Sequence, residues 1–453
     1  MKSPQSSLAR IARTTVLAVG VLTLAGCETL GIGGGGDDDP ETPTLGNRQP
    51  ILSRIATEIE ADPALANVAV VVPPAQTNAS WAQAGGTASK VAGHVTLNAA
   101  PTQAWTATIA GTTNTRRLAA APVVANGMLY VVDTSAVVRA FDSQTGALRW
   151  QHRIRVSGDL EDATFGGGAS YADGRVYATN GVGDVVALDA TTGLEIWRVK
   201  PGGPLRGSPT VAFNSVFVMT QNNQIFALNT ADGEIVWQKA AAVGQQGVFG
   251  VAAPAAGQGT VLAGFSSGEL VAYRYENGRE LWSDALARTS ISTQVGTLTD
   301  VDADPIIDQG RVYALGQGGR MAAYELLTGQ RIWELTLAGI STPTVAGEWV
   351  FTLTDDARIL AIQRNTGRIR WMTQLDQFRD PEDRDGQIFW TGPVLASNRL
   401  WIASSRGAVK SVDVMTGEAA DFTQLRDGVS LPPVVAENTL FILDNSGRIT
   451  AWR

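Results

Sequence analysis

The sequence predicts an all-β fold, an eight-bladed β-propeller with four-stranded antiparallel blades, its ring closed by an N-terminal strand at about residues 103–109. Three observations predict it. Between residues 121 and 422 one phrase recurs seven times: short apolar strands, an Asp or Asn turn ending in Gly, and a closing aromatic at Trp150, Trp197, Trp237, Trp282, Trp333, Trp371 and Phe422. Those aromatics lie 38 to 51 residues apart, which is the period of one propeller blade and too long for leucine-rich or ankyrin repeats. An eighth copy, PPVVAENTLFILDNSGRITAWR, stops at Arg453 without a fourth strand.

The elements follow in chain order. Residues 1–26 carry Lys2, Arg10 and Arg13, then an apolar run from Val16 to Leu24, then Leu24-Ala25-Gly26 before Cys27, the only cysteine. The run is too short to span a bilayer and has the flanks of a signal peptide. It resembles a bacterial lipoprotein signal, which implies cleavage before Cys27 and diacylglyceryl and N-acyl groups on that residue. Several buried acyl carbons, at about 0.8 kcal/mol each, hold such a protein on its membrane. Glu28 rather than Asp follows the cysteine; by the same resemblance this implies lipid anchoring at the periplasmic face of the outer membrane of a Gram-negative bacterium. Cleavage removes three positive charges and no negative ones, moving the net charge from −8 to −11.

Residues 27–47, with GIGGGGDDDPETPT, have little to bury and read as a flexible tether. Residues 48–80 read as one short helix before Asp62-Pro63 and a Pro-rich lead-in, VVVPPAQ, and residues 81–453 as the propeller. Within each repeat, β-branched and aromatic residues alternate with polar ones, as in LYVVDTS, and turns such as Asp142 to Gly146 join the strands. Eight sheets stacked around an axis bury the faces that one sheet alone would leave open. In the segment TQAWTATIAG, Trp105 takes the role of the missing aromatic, so residues 103–109 are expected to complete the last blade beside residues 448–452. The closing tryptophans read as wedges between blades, each worth roughly 2–3 kcal/mol of burial.

Composition and motifs exclude several chemistries. A net charge of −8 with no basic stripe argues against nucleic acid. One cysteine rules out an intramolecular disulfide, a CxxC pair and a haem attachment motif. His94 and His152, the only histidines, lie in no metal-spaced cluster, leaving a zinc site or a catalytic triad little to build on. Asp300, Asp302 and Asp304 have the opening spacing of a calcium loop, but Pro305 and Arg311 stand where that loop needs Gly and Glu. No catalytic residues, no metal site and no cofactor are expected. What remains is a set of long connections, residues 151–168, 239–252, 283–303 and 372–391, of the kind that carry binding on rigid scaffolds. Leu205-Arg206-Gly207 offers an apolar side chain beside a guanidinium, as interface anchors do. As residues alone it reads equally well as a surface turn.

The blade phrase resembles the repeats of quinoproteins, and two families with such repeats fit differently. Pyrroloquinoline-quinone dehydrogenases hold their quinone against a vicinal disulfide, which Cys27 alone cannot form. The lipobox, the tether, a single propeller and the segment Trp81-Ala82-Gln83-Ala84-Gly85-Gly86 followed by His94 resemble the BamB family of outer-membrane assembly lipoproteins. Leu205-Arg206-Gly207 and Asp300-Val301-Asp302 match two of its loop motifs, with Gly203 where the family has another leucine. The resemblance implies a non-catalytic scaffold of the β-barrel assembly (BAM) machinery. It implies binding to the POTRA domains of BamA through Leu205, Arg206, Asp300 and Asp302, with other BAM subunits and unfolded outer-membrane β-barrel proteins as further partners. A quinone-dependent enzyme and an envelope scaffold with a different partner are the competing readings.

Overall fold

The computed structural model describes residues 59–453 except 157, 159, 161, 162, 206, 242–251 and 287–299. Within them the strands gather into eight four-stranded sheets and one two-stranded hairpin. Blade 1 is built from Val123–Ala125, Met128–Val132, Val137–Asp142 and Leu148–Arg153, paired antiparallel in chain order. Blades 2 to 7 repeat that order. First strands of successive blades touch one another, so they line the bore and the fourth strands form the rim.

The strand signals in the sequence come from two different environments. Second strands such as Ser215–Met219, Thr260–Gly264 and Trp349–Leu353 are buried along their whole length, because neighbouring blades cover both faces. Fourth strands are largely exposed, and in most of them the closing tryptophan is the one buried residue. The apolar–polar alternation expected throughout gives way to continuous burial in the second strands and to a single buried aromatic at the rim. The core clusters straddle adjacent blades, as in the layer of Tyr130, Trp150 and Val176 between blades 1 and 2. Opposite each closing tryptophan, at a bulge in the ladder, stands an alanine of the third strand: Ala140 faces Trp150, Ala272 faces Trp282 and Ala361 faces Trp371. These alanines are fully buried and leave room for the indole.

The ring closes as the sequence predicts. Gln103–Thr108 pairs antiparallel with Arg448–Trp452, Trp105 facing Ala451 in the same bulge. Thr102 and Arg453 exchange backbone hydrogen bonds of 2.5 and 2.9 Å just beyond the ladder. Blade 8 thus takes three strands from the end of the chain and one from before blade 1.

Two expectations read differently in the structure. The expected helix falls largely on residues 48–58, outside the described residues; between Ile59 and Ser80 the chain shows one 3-10 turn, Pro63–Leu65, capped by the Asp62 carboxylate, which accepts the Ala64 N–H at 2.9 Å. The connection 372–391 is partly ordered as a hairpin of Phe378–Asp380 with Asp385–Gln387. The signal segment, Cys27 and the tether also lie outside the described residues.

Candidate functional site

A propeller leaves the inner edge of eight first strands facing its bore, with backbone groups that need partners. Here residues 71–98 travel around the bore and supply them. Trp81 exchanges two backbone hydrogen bonds, 2.7 and 2.8 Å, with Val124 of blade 1, and the Ala82 carbonyl accepts the N–H of Tyr171 in blade 2 at 2.7 Å. In blade 3 a side chain does the same work: the Gln83 amide donates to the Val211 carbonyl and accepts the Val211 N–H, both at 2.9 Å. The carbonyls of Ala88 and Ser89 accept from Ala256 of blade 4 and Ile307 of blade 5. Val95 bridges Leu395 and Ser397 of blade 7, and Asn78 binds Val435 and Glu437 of blade 8. Blade 6 is met by packing, through Val70 and Pro73.

This strap explains why the motif around Trp81 and His94 has its residues. His94 Nδ1 lies 2.6 Å from the Pro73 carbonyl, and Nε2 accepts the Asn398 N–H at 2.9 Å, which places the proton on Nδ1. Both ring nitrogens are thereby committed to backbone, and the imidazole acts as a clip between strap and blade 7.

Above the strap lies a cavity of about 540 Å³. Its walls include Trp81, Phe389, Trp390 and Pro393, and its charged groups include Lys90, Asp302 and Asp304. Lys90 is buried, donating from Nζ to the Thr210 hydroxyl at 3.0 Å. Burial pushes its amine down to about 8, opposed by the charge of Asp304. Burial pushes the Asp304 carboxyl up, while Lys90 and the Ala253 N–H, 2.7 Å away, draw it back. Among the described residues no three His, Cys, Asp or Glu side chains are grouped so as to hold a metal ion.

The residues singled out from sequence are placed as follows. Leu205 is only 1% exposed; it bridges to Thr220 and packs with Phe226 and Val216 between blades 2 and 3. Its side chain fills the protein's own core and is not an apolar anchor on the surface. Arg206 lies outside the described residues. Asp300 is fully buried and Asp302 nearly so, the latter at the wall of the central cavity. The structure thus puts Leu205 and Asp300 beneath the surface that they were expected to form, because both sit where a connection turns inward to begin a first strand. Gln83 and Lys90, which tie the strap across the bore, drew no individual role from the sequence; their partners, Val211, Thr210 and Asp304, are more than a hundred residues away.

Comparison with known proteins bears on this geometry. The family model described as outer membrane protein assembly factor BamB matches residues 87–161 and 134–373. The chain is 25% identical over 357 residues to the outer membrane protein assembly factor BamB of Yersinia pestis, covering 78% of this chain and 88% of that one. It is 26% identical over 329 residues to the protein of the same name from Escherichia coli K12, covering 61% and 82%. Among solved structures, BamB from Moraxella catarrhalis superposes with a TM-score of 0.63 at 20% identity, covering 78% of this chain and 99% of that one. The quinohemoprotein alcohol dehydrogenase of Comamonas testosteroni superposes at 0.65 with 14% identity, covering 86% and 83%. At such identities the two superpositions speak to the fold alone.

Proposed function

The chain belongs to the family of outer membrane protein assembly factor BamB, and on that premise we propose that it is a non-catalytic scaffold that binds the POTRA domains of BamA and promotes insertion of outer-membrane β-barrel proteins. Anchored through acylated Cys27 at the periplasmic face of the outer membrane, it holds its ring beside the assembly machinery, among the other BAM subunits. The observation that carries the reading is the family match, which covers residues 87–373, the end of the strap and blades 1 to 6. The strap supports it: the inner strand edges are occupied by the protein's own chain, which leaves the loop faces and the rim as surface for partners.

The docking loops of this proposal are those of Leu205-Arg206-Gly207 and Asp300-Val301-Asp302. Given their burial, Leu205 and Asp300 hold the loop shapes from below, and Arg206 supplies the charge-assisted contact. The Gln221 N–H donates to the Pro204 carbonyl at 2.8 Å, so the blade 3 turn at Gln221 adjoins the chain at Pro204 and Leu205. For barrel substrates, the rim strands Glu195–Val199 and Ile235–Ala240 are sheet edges that expose Ile196, Ile235 and Val236, the type of edge that accepts an added strand.

The test is a pull-down with the periplasmic region of BamA, comparing wild type with Arg206→Glu and Gln221→Arg. Both variants should lose capture at least tenfold while melting as wild type does. Undiminished capture by both would refute the assignment of these loops, and no capture by wild type would refute the partner.

A further inference from the structure

The first strand of each blade turns the backbone of its next-to-last residue toward the bore, and in seven blades the strap bonds it. Strap backbone does so for Val124, Tyr171, Ala256, Ile307 and Leu395, and the side-chain amides of Gln83 and Asn78 do so for Val211 and Val435. Blade 6 departs. Among the described residues neither the N–H nor the carbonyl of Val345, its next-to-last residue, has a hydrogen-bond partner. The strap reaches this blade by packing alone, Val91 lying against the cluster that holds the Val345 side chain.

Ladder geometry fixes where those two groups point. Thr344–Ala346 and Trp349–Leu353 form a hairpin with a two-residue turn, Ala346 facing Trp349 and Val345 facing Val350. In such a hairpin the pair at the turn exchanges hydrogen bonds and the next pair does not, so Val345 directs both groups away from its own sheet. Val124 has the same register in blade 1, facing Leu129, and there the outward groups are the ones that Trp81 bonds. Val345 is buried and lines the central cavity. An unpaired backbone edge in a buried setting carries a desolvation cost that a matching chain would relieve.

The cavity around that edge suits an extended chain. Thr342, Pro343 and Thr344 continue the same wall, and Trp390 and Pro393 of blade 7 form the one beside it. Ile340 and Phe389 also line the cavity and are 44% and 52% exposed, giving it an apolar lip. The connections into blades 6 and 7, which carry these residues, lie wholly among the described residues. The other seven edges show the chemistry of the missing partner, since amide groups complete every one of them. Successive side chains of an extended peptide point to opposite sides, so alternate ones meet the aromatic wall.

We propose that the central cavity takes one extended peptide segment with alternating apolar side chains, which adds to blade 6 at Val345 by strand pairing. The inference deepens the functional reading and rests on it for the source of the segment: a strand of an unfolded barrel protein, whose side chains alternate in the required way. This site is separate from the rim edges of blades 2 and 3.

The experiment uses the full chain carrying Cys27→Ser, so that no acyl anchor contributes, and a fluorescein-labelled peptide, acetyl-Lys-Val-Thr-Phe-Thr-Val-Lys-amide, followed by polarisation. Saturable binding is expected. It should weaken at least tenfold when the five central residues of the peptide are N-methylated, which removes their N–H donors and keeps their side chains. It should weaken as much in the variant carrying Ile340→Ser and Phe389→Ser, two exposed positions whose replacement leaves the melting temperature unchanged. Amide exchange at Val345 should slow when the peptide binds, while exchange at Val211, already held by Gln83, stays as it was.

Equal affinity for the N-methylated peptide would mean apolar contact without strand pairing, and equal binding by the serine variant would put the peptide at another edge, such as the rim; either result overturns the proposal. No peptide binding beside intact capture of the BamA periplasmic region overturns this inference alone. Peptide binding without that capture upholds the site and removes the reading that supplies its source.

Discussion

The indole N–H of Trp105 donates to the backbone carbonyl of Ser143 at 3.0 Å, across the seam where the strand that closes the ring meets blade 1. The same bond recurs from blade to blade: Trp150 donates to Ala190, Trp197 to Thr230, Trp237 to Tyr275, Trp282 to Leu326, Trp333 to Arg364 and Trp371 to Val414. Each indole also lies over the turn glycine of the next blade, Trp105 over Gly146 and Trp371 over Gly417 among them. One position departs. Phe422 closes blade 7 with no N–H to give, and blade 8 has no turn there to receive one, because its third and fourth strands are the two ends of the ring. Phe422 packs edge-on against Trp401 and Trp452 instead, with ring centroids 5.0 and 5.1 Å away.

Trp105→Ala should therefore act as a ring-opening substitution. It removes a buried indole and a cross-blade hydrogen bond at the only point where chain ends are joined by noncovalent contacts, and the expected loss is roughly 3–5 kcal/mol. Deleting residues 103–109 should abolish the single cooperative unfolding transition. Denaturant unfolding followed by tryptophan fluorescence checks both; a normal transition in the deletion variant would show that closure is not needed.

Two glycines of similar backbone shape should respond differently to alanine. Gly193 has φ +73°, and a Cβ there would sit 2.5 Å from the ring of Trp150; Gly174 has φ +76°, and nothing lies within 4 Å of its Cβ position. Gly174→Ala should carry only the backbone penalty of about 1 kcal/mol. Gly193→Ala must also displace the indole and should lose roughly 2–4 kcal/mol in the same unfolding measurement.

The contrast between blades and strap shows what a sequence displays. The tryptophan, its turn glycine and the Asp-led turn recur within each blade, so a local phrase repeated seven times reveals them. The alanine opposite each tryptophan was equally available, as Ala140, Ala187 and Ala227 stand ten residues before their partners, but a small residue draws attention only once the indole it accommodates is known. Residues 71–98 have no period, since each touches a different blade. Leu205 and Asp300 stood out as motif residues, but their burial depends on how neighbouring strands fold over them, which a motif of three residues does not display.

Gln83 offers a direct test of the strap. Its amide replaces a strand edge for Val211, and its side chain is 6% exposed. Gln83→Leu keeps the volume but leaves a buried N–H and a buried carbonyl without partners, at roughly 1–3 kcal/mol each. The loss should appear in equilibrium unfolding, and amide exchange at Val211 should accelerate. Unchanged exchange there would mean that other strap contacts hold blade 3 unaided.

Lys90 gives the strap a pH dependence whose sign can be worked out. Burial lowers its amine from an ordinary value of 10.5 to about 8. Between those values the unfolded chain holds a proton that the folded protein has released, so stability from this group rises with pH across the window. Below pH 8 both states are protonated and the contribution is flat. Asp304, whose carboxyl is pushed up by burial, works in the opposite sense: through its own titration stability falls as pH rises. From pH 8 to 9.5 the Lys90 contribution should grow by about 1–2 kcal/mol, given a limit near 1.4 kcal/mol per pH unit for one group. Urea unfolding of wild type and Lys90→Met at pH 7.5, 8.5 and 9.5 reads it as a difference that widens with pH in favour of the wild type. A constant difference would show that the amine keeps its ordinary affinity for a proton and that the bore is wetter at Thr210 than its burial implies.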